Sequence, residues 1–165
     1  MFALSTLFGL PAHALLVHGA VVLVPLAALA LITTGWKQSW RRAYSFPSAL
    51  LAVGGMAFAF LAQQTGEPLK HAIRDAAVGQ QVNFGEHPDQ GNTAFLFAIA
   101  LGLTAVGFWA VDRYGERWNL PKWTALASYG VVVVVAMAAT TAMVIAGHSG
   151  AILVWRDVGT LAHGQ

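Results

Sequence analysis

The sequence predicts an all-α membrane protein, a four-helix transmembrane bundle with a short amphipathic interfacial helix between helices 2 and 3. Only 10% of its 165 residues are charged and 57% are hydrophobic, whereas soluble domains average about 25% charged residues. Four runs without a charged side chain cover residues 1–36, 43–66, 90–111 and 123–155. Each run is long enough for the roughly 20 residues that a bilayer-spanning helix needs. We therefore expect one transmembrane domain over residues 1–165.

The four helices are expected near residues 13–35, 47–64, 92–112 and 122–147. The first apolar run has no Lys or Arg before it, so we expect it to be retained as helix 1 and not cleaved as a signal peptide. Pro47 and Pro121 are expected at helix starts, where a missing backbone N–H is harmless. Helix 4 carries small residues that suit close helix packing, namely Ala136, Ala139, Thr140, Ala142 and Ala146.

The long connection over residues 65–91 begins with the stretch TGEPLKHAIRDAAVG. Glu67 followed by Pro68 is typical of a helix start, and Leu69 and Ile73 recur on one face at helical spacing. This pattern predicts the short amphipathic helix, lying along the membrane interface.

The distribution of basic residues predicts the orientation. Six of the nine Lys and Arg residues lie in two short connections, WKQSWRRAY and DRYGERWNLPK. Because short cytoplasmic loops carry an excess of Lys and Arg, we expect these two connections to face the cytoplasm. Both termini and the 65–91 connection then face the extracytoplasmic side.

This topology places all six histidines on the extracytoplasmic side. An ionisable side chain at the edge of a membrane span costs free energy unless it is paired, solvated or ligated. His13, His18, His87 and His148 come from the ends of three helices at one level, the arrangement that a haem or metal site in a bundle needs. The other two histidines, in the outer connection and the tail, are expected to be solvated.

His13 and His18 are separated by about 140° around the helix axis, so they do not share one face. We expect His18 to be the more buried of the two, because the neighbouring Gly19 leaves room for a close approach. We expect the carboxylates of Glu86 and Glu67 to orient the imidazoles, by contacting the rings and not the bound metal or haem.

Several classes of function are excluded or unsupported by the composition. The absence of cysteine excludes disulfides, thiolate metal sites, cysteine-ligated iron–sulfur clusters and c-type haem attachment. There is no HExxH motif and no Ser–His–acid set with recognisable spacing, so no catalytic residue is assigned. The small excess of basic residues, without a basic stripe, gives no indication of nucleic-acid binding.

Four motifs in order carry a resemblance to a family of bacterial predicted membrane proteins, the domain of unknown function 2231 family. LPAHALLVHGAVVLVPLAAL resembles its opening signature, with Ala14 in place of the usual proline. AQQTGE, GEHPDQGN and GHSGAILVW resemble the end of its second helix, its loop histidine and its closing element. The resemblance implies a four-helix protein of the bacterial inner membrane, with relatives fused to or neighbouring redox modules such as Rieske domains, and it implies no catalytic residues.

Two functional hypotheses follow for the histidine cluster. In the first, two imidazoles from different helices ligate b-type haem for electron transfer, since bis-imidazole ligation leaves no open position on the iron; a copper or zinc ion is the close variant. In the second, the protein is a non-catalytic accessory or structural subunit of a respiratory-type membrane complex. A transporter is not favoured, because no charged residue lies within a span. The oligomeric state and the redox partner stay open.

Overall fold

The computed structural model describes residues 6–7, 9–77 and 82–163, with the backbone alone at residues 7, 10 and 156–163. Its helices are α1 (Ala12–Trp36), α2 (Gln38–Ala76), α3 (His87–Tyr114) and α4 (Trp123–His163). Before α1, strands β1 (Thr6–Leu7) and β2 (Leu10–Pro11) pair antiparallel as a short ribbon. All four helices are long and apolar enough to cross a membrane, so the predicted all-α four-helix bundle is confirmed.

The helices form a ring in which each packs against two neighbours. α1 and α3 both pack against α2 and α4, whereas α1 and α3 face each other diagonally with little contact. The starts of α1 and α3 therefore lie at one end of the bundle, together with the later parts of α2 and α4. We call this the histidine end, and the opposite end, which holds Lys37 and the connection between α3 and α4, the basic end.

In every helix, one set of buried positions follows a regular spacing. They alternate at intervals of three and four residues, an average of 3.5, which is the repeat of a left-handed coiled coil. The seams are Ala20, Val24, Ala27 and Leu31 in α1; Ser45, Ser48, Ala52, Gly55, Ala59 and Ala62 in α2; Ala94, Ala98, Leu101, Ala105 and Phe108 in α3; and Val132, Ala136, Ala139, Met143 and Ala146 in α4.

The bundle has small side chains inside and large apolar side chains outside. Among the residues whose side chains the structure describes, fifteen of the 21 buried hydrophobic residues are alanine, so the helix backbones approach closely. Large side chains such as Val22, Leu103 and Val134 are 62%, 64% and 68% exposed. An apolar exterior of this extent would be unfavourable in water, and its natural solvent is the hydrocarbon of a bilayer.

α2 is much longer than the helix expected over residues 47–64. The single extended residue Lys37 separates it from α1, so the basic stretch expected as a loop forms its first turns. Pro47 and Pro68 lie inside the helix, each at the cost of one backbone hydrogen bond. The expected amphipathic segment is helical, but it continues α2 without a break and is not a separate helix. With 39 residues, α2 is about 58 Å long and projects beyond a hydrocarbon core of about 30 Å.

The other boundaries differ at the histidine end. α3 begins at His87, earlier than expected, with Pro88 and Asp89 in its first turn, where both residue types are favourable. α4 does not end at Gly147. This glycine is a packing residue, since a Cβ there would lie 3.3 Å from a methyl group of Val21, and the helix continues beyond it. At the basic end, α4 begins just after Pro121, as predicted.

Arg41, in α2, contacts the other three helices at the basic end. Its Nε and Nη2 donate to the Gly35 carbonyl at 3.1 and 2.9 Å, one of the terminal carbonyls of α1 that lack a partner within the helix. Its guanidinium lies 5.5 Å from the ring centroid of Phe108 in α3 and 5.3 Å from that of Tyr129 in α4. The Tyr129 hydroxyl in turn donates to the Ile32 carbonyl of α1 at 2.9 Å.

Replacing Arg41 by alanine is expected to lower the free energy of unfolding by about 1–3 kcal/mol, because the carbonyl of Gly35 loses its donors and two aromatic rings lose a cation. The matched control is Arg42→Ala, which removes the same charge from an exposed neighbour. Titration of both detergent-solubilised variants with sodium dodecyl sulfate measures the difference. Equal unfolding midpoints would contradict the role of Arg41.

Candidate histidine site

His13, in the first turn of α1, points at α2. Its Nδ1 lies 2.9 Å from the Ala62 carbonyl oxygen and 3.4 Å from the Thr65 hydroxyl. Because a carbonyl only accepts, Nδ1 carries the proton, and the Nε2 of the neutral ring holds a free lone pair. The ring rests on Gly66, where a Cβ would lie 3.2 Å from the imidazole Cε1.

His87, at the start of α3, makes an equivalent contact with α4. Its Nδ1 lies 3.0 Å from the Ser149 hydroxyl, which donates its own hydrogen to the Ala146 carbonyl at 3.1 Å. The hydroxyl therefore accepts from Nδ1, and Nε2 again holds the lone pair. A Cβ at Gly150 would lie 2.9 Å from the imidazole Cε1, so this glycine creates the space for the ring.

The two imidazoles belong to diagonally opposed helices at the same end of the bundle. An open pocket of about 300 Å³ lies beside His87 and is also lined by Glu86, Gln90 and Ser149. His13 and His87 are therefore the two members of the predicted cluster whose rings contact a neighbouring helix at the histidine end.

His18 and His148 are placed differently. Both side chains are exposed, and the Nδ1 of His18 donates to the Ala14 carbonyl of its own helix at 2.6 Å. The expectation that His18 is the more buried was wrong. The space at Gly19 is filled by the ring of Phe58, which a Cβ there would overlap, and His13 is the residue that turns inward.

The two carboxylates that were expected to orient the imidazoles contact other side chains. Glu67 pairs with Lys70 at 3.1 Å and lies 3.8 Å from His71, both on its own helix. Glu86 accepts a hydrogen bond from the Gln90 amide at 3.1 Å. Ser149 takes the orienting role expected of Glu86, because the side chain of His87 points toward α4. Within the described residues, no three His, Asp or Glu side chains are grouped closely enough to hold a metal ion.

The residues that contact the two rings were not predicted as site residues. They are Thr65, Gly66, Ser149 and Gly150. Their signal is present as two short stretches, TGE and HSG, in which a hydroxyl residue and a glycine interrupt an apolar run. A glycine inside a helix costs about 1 kcal/mol relative to alanine, and at Gly66 and Gly150 the missing Cβ makes room for a neighbouring group. In this bundle the approaching group is an imidazole in both cases.

The four apolar spans, the alanine-rich interior and the large exposed apolar side chains define an integral membrane protein with a polar site at one end. The chain belongs to the domain of unknown function 2231 family, described as predicted membrane proteins, whose family model matches residues 9–162. The resemblance found in the sequence is thereby confirmed. No curated protein and no solved structure matches the chain.

Replacing Gly150 by alanine is expected to displace the His87 ring and break its bond to Ser149. The matched control is Gly130→Ala, also in α4, where a Cβ meets nothing within 4 Å and the change is neutral or stabilising. We expect the free energies of unfolding of the two variants to differ by about 1–2 kcal/mol. Equal stabilities would show that the ring does not depend on this glycine.

Proposed function

We propose that His13 and His87 ligate a metal ion through their Nε2 atoms, and that the site serves electron transfer in the membrane. The observation that carries the proposal is the hydrogen bonding of both rings. Each Nδ1–H is held by a fixed acceptor on the neighbouring helix, the Ala62 carbonyl and the Ser149 hydroxyl. An acceptor of this kind sets the tautomer and orientation of a metal-binding histidine.

The chemistry of two imidazoles narrows the choice of ion. Imidazole suits copper, zinc and iron, and zinc has no redox chemistry. Electron transfer therefore requires copper or haem iron, whereas zinc would brace the two helices. With two protein ligands, the remaining positions on the ion belong to water or another small ligand.

A single ion needs less rearrangement than b-type haem. Both rings are packed directly on glycines of a neighbouring helix, at Gly66 and Gly150. A porphyrin between the two imidazoles would have to separate helices that are packed through alanine. We therefore favour copper, with b-type haem as the second cofactor that the same experiment detects.

Elemental analysis and visible spectroscopy of the purified protein, oxidised and after dithionite, test this proposal. We expect about one copper per chain. His13→Ala and His87→Ala should each lower the affinity for copper by at least about tenfold, because losing a residue that binds the ion costs more than losing a group that orients it, which costs about 10–100-fold. A Soret band would identify haem as the cofactor. His18→Ala and His148→Ala, at exposed rings, serve as controls and should retain the metal.

A colourless protein without metal, in both the presence and absence of added copper, would overturn the redox proposal. It would leave the second candidate, an accessory or structural subunit of a respiratory-type membrane complex. One observation favours this candidate. His13 is hydrogen-bonded to α2 and His87 to α4 without a cofactor, so the two rings can hold neighbouring helices together.

We further propose that the protein lies in the bacterial inner membrane with the basic end in the cytoplasm. The support is the concentration of Lys and Arg at that end, because such residues remain on the cytoplasmic side during insertion. The basic residues there are Lys37, Arg41, Arg42, Arg113, Arg117 and Lys122.

Because the chain has no cysteine, single cysteines report this orientation directly. Gln38→Cys lies at the basic end and Ala76→Cys at the histidine end; both positions are exposed, and neither change alters the charge. In intact cells, we expect a membrane-impermeant maleimide to label Ala76→Cys and to leave Gln38→Cys unlabelled until the membrane is permeabilised. The reverse pattern would invert the orientation.

A further inference from the structure

A second open groove lies near the basic end, between α1 and α2 and far from the histidines. It measures about 490 Å³ and is lined by aromatic, aliphatic and hydroxyl side chains. Trp40 and Tyr44 are exposed and lie at its rim. Ala30 and Leu51 belong to its apolar wall.

The polar part of the groove is a buried pair of hydroxyls. Thr34 and Ser48 are 4% and 5% exposed, and their oxygens lie 3.2 Å apart. One hydroxyl donates to the other, and among the described residues the second hydroxyl has no acceptor for its hydrogen. The adjacent Thr33 differs, since its hydroxyl donates to the carbonyls of Leu29 and Ala30 at 2.8 and 3.1 Å.

A hydroxyl donor without an acceptor is unfavourable in an apolar solvent. Thr34 lies three residues before Lys37, the extended residue that ends α1. The groove therefore opens at the level where a membrane helix approaches the interface. The oxygen atoms available in a bilayer at this depth are the ester carbonyls of phospholipids. A lipid lying in the groove would supply the missing acceptor.

A positive charge lies beside the groove. The Nζ of Lys37 lies 5.5 Å from the ring centroid of Trp40, which is one of the lining residues. A cation at this place attracts a phosphate group and favours a lipid with net negative charge. The groove therefore combines a hydroxyl donor and an apolar wall with a neighbouring cation.

We propose that this groove binds one anionic diacyl phospholipid. The phosphate lies at Lys37, an ester carbonyl accepts from the Thr34–Ser48 pair, and an acyl chain follows Ala30 and Leu51 between α1 and α2. The site is independent of the histidine end, and the inference holds whichever cofactor the histidines bind.

Native mass spectrometry of the protein purified in detergent tests this site with added phosphatidylglycerol and, separately, phosphatidylethanolamine. The wild type is expected to retain one phosphatidylglycerol per chain and to bind it about tenfold more tightly than phosphatidylethanolamine. The double variant Thr34→Val, Ser48→Ala should weaken phosphatidylglycerol binding by about tenfold, the effect of one lost hydrogen bond in an apolar site. Thr33→Val is the matched control, because the hydroxyl it removes lines the same groove but is already bonded to its own helix, and it should bind as the wild type does.

Lys37→Gln, at an exposed position, tests the charge without entering the buried pair. It should lower binding of phosphatidylglycerol and leave binding of phosphatidylethanolamine unchanged. If the double variant does not fold, Lys37→Gln still tests the proposal. The proposal is overturned if the wild type retains no phosphatidylglycerol or retains both lipids equally. It is also overturned if a folded double variant binds phosphatidylglycerol as tightly as the wild type does, or if Lys37→Gln retains the wild-type preference.

Discussion

The close approach of helices along alanine seams is the constraint on which the rest of the structure depends. Four helices with buried positions at an average spacing of 3.5 residues wrap around one another. Alanine at most of those positions lets the backbones approach closely. In a bilayer, where lipid tails solvate large apolar side chains as well as the interior does, this tight packing is the main source of helix association.

The same constraint explains where the polar and aromatic side chains can go. Among the described residues, four rings pack on a glycine of a neighbouring helix: His13 on Gly66, His87 on Gly150, Tyr129 on Gly35 and Phe58 on Gly19. Two of these pairs make the histidine end, and the Tyr129 pair supports Arg41 at the basic end. The polar sites are therefore confined to the ends of the bundle and positioned by glycines in helices other than their own.

Particular residues show how far the sequence alone predicts this arrangement. The four spans and the gathering of histidines at one end follow from charge-free runs and helix connectivity, because both are local properties of the chain. The role of His18 did not follow, since the rotation of α1 about its axis depends on which small residues face α2 and α4. The bounds of α2 were also missed, because Pro47 and Pro68 are typical of helix starts in isolation and are tolerated inside a helix supported by its neighbours.

The sequence by itself determined that this protein has four apolar helices, that bilayer lipid surrounds them, and that its histidines lie toward one end of the bundle. These properties depend on the composition and order of residues along the chain, which set the free energy of transfer of each segment. Only the tertiary structure decided that His13 and His87 turn inward while His18 and His148 face outward. That choice depends on the register between helices, in which a hydroxyl, a carbonyl and a glycine from one helix must meet the ring of another at the same height.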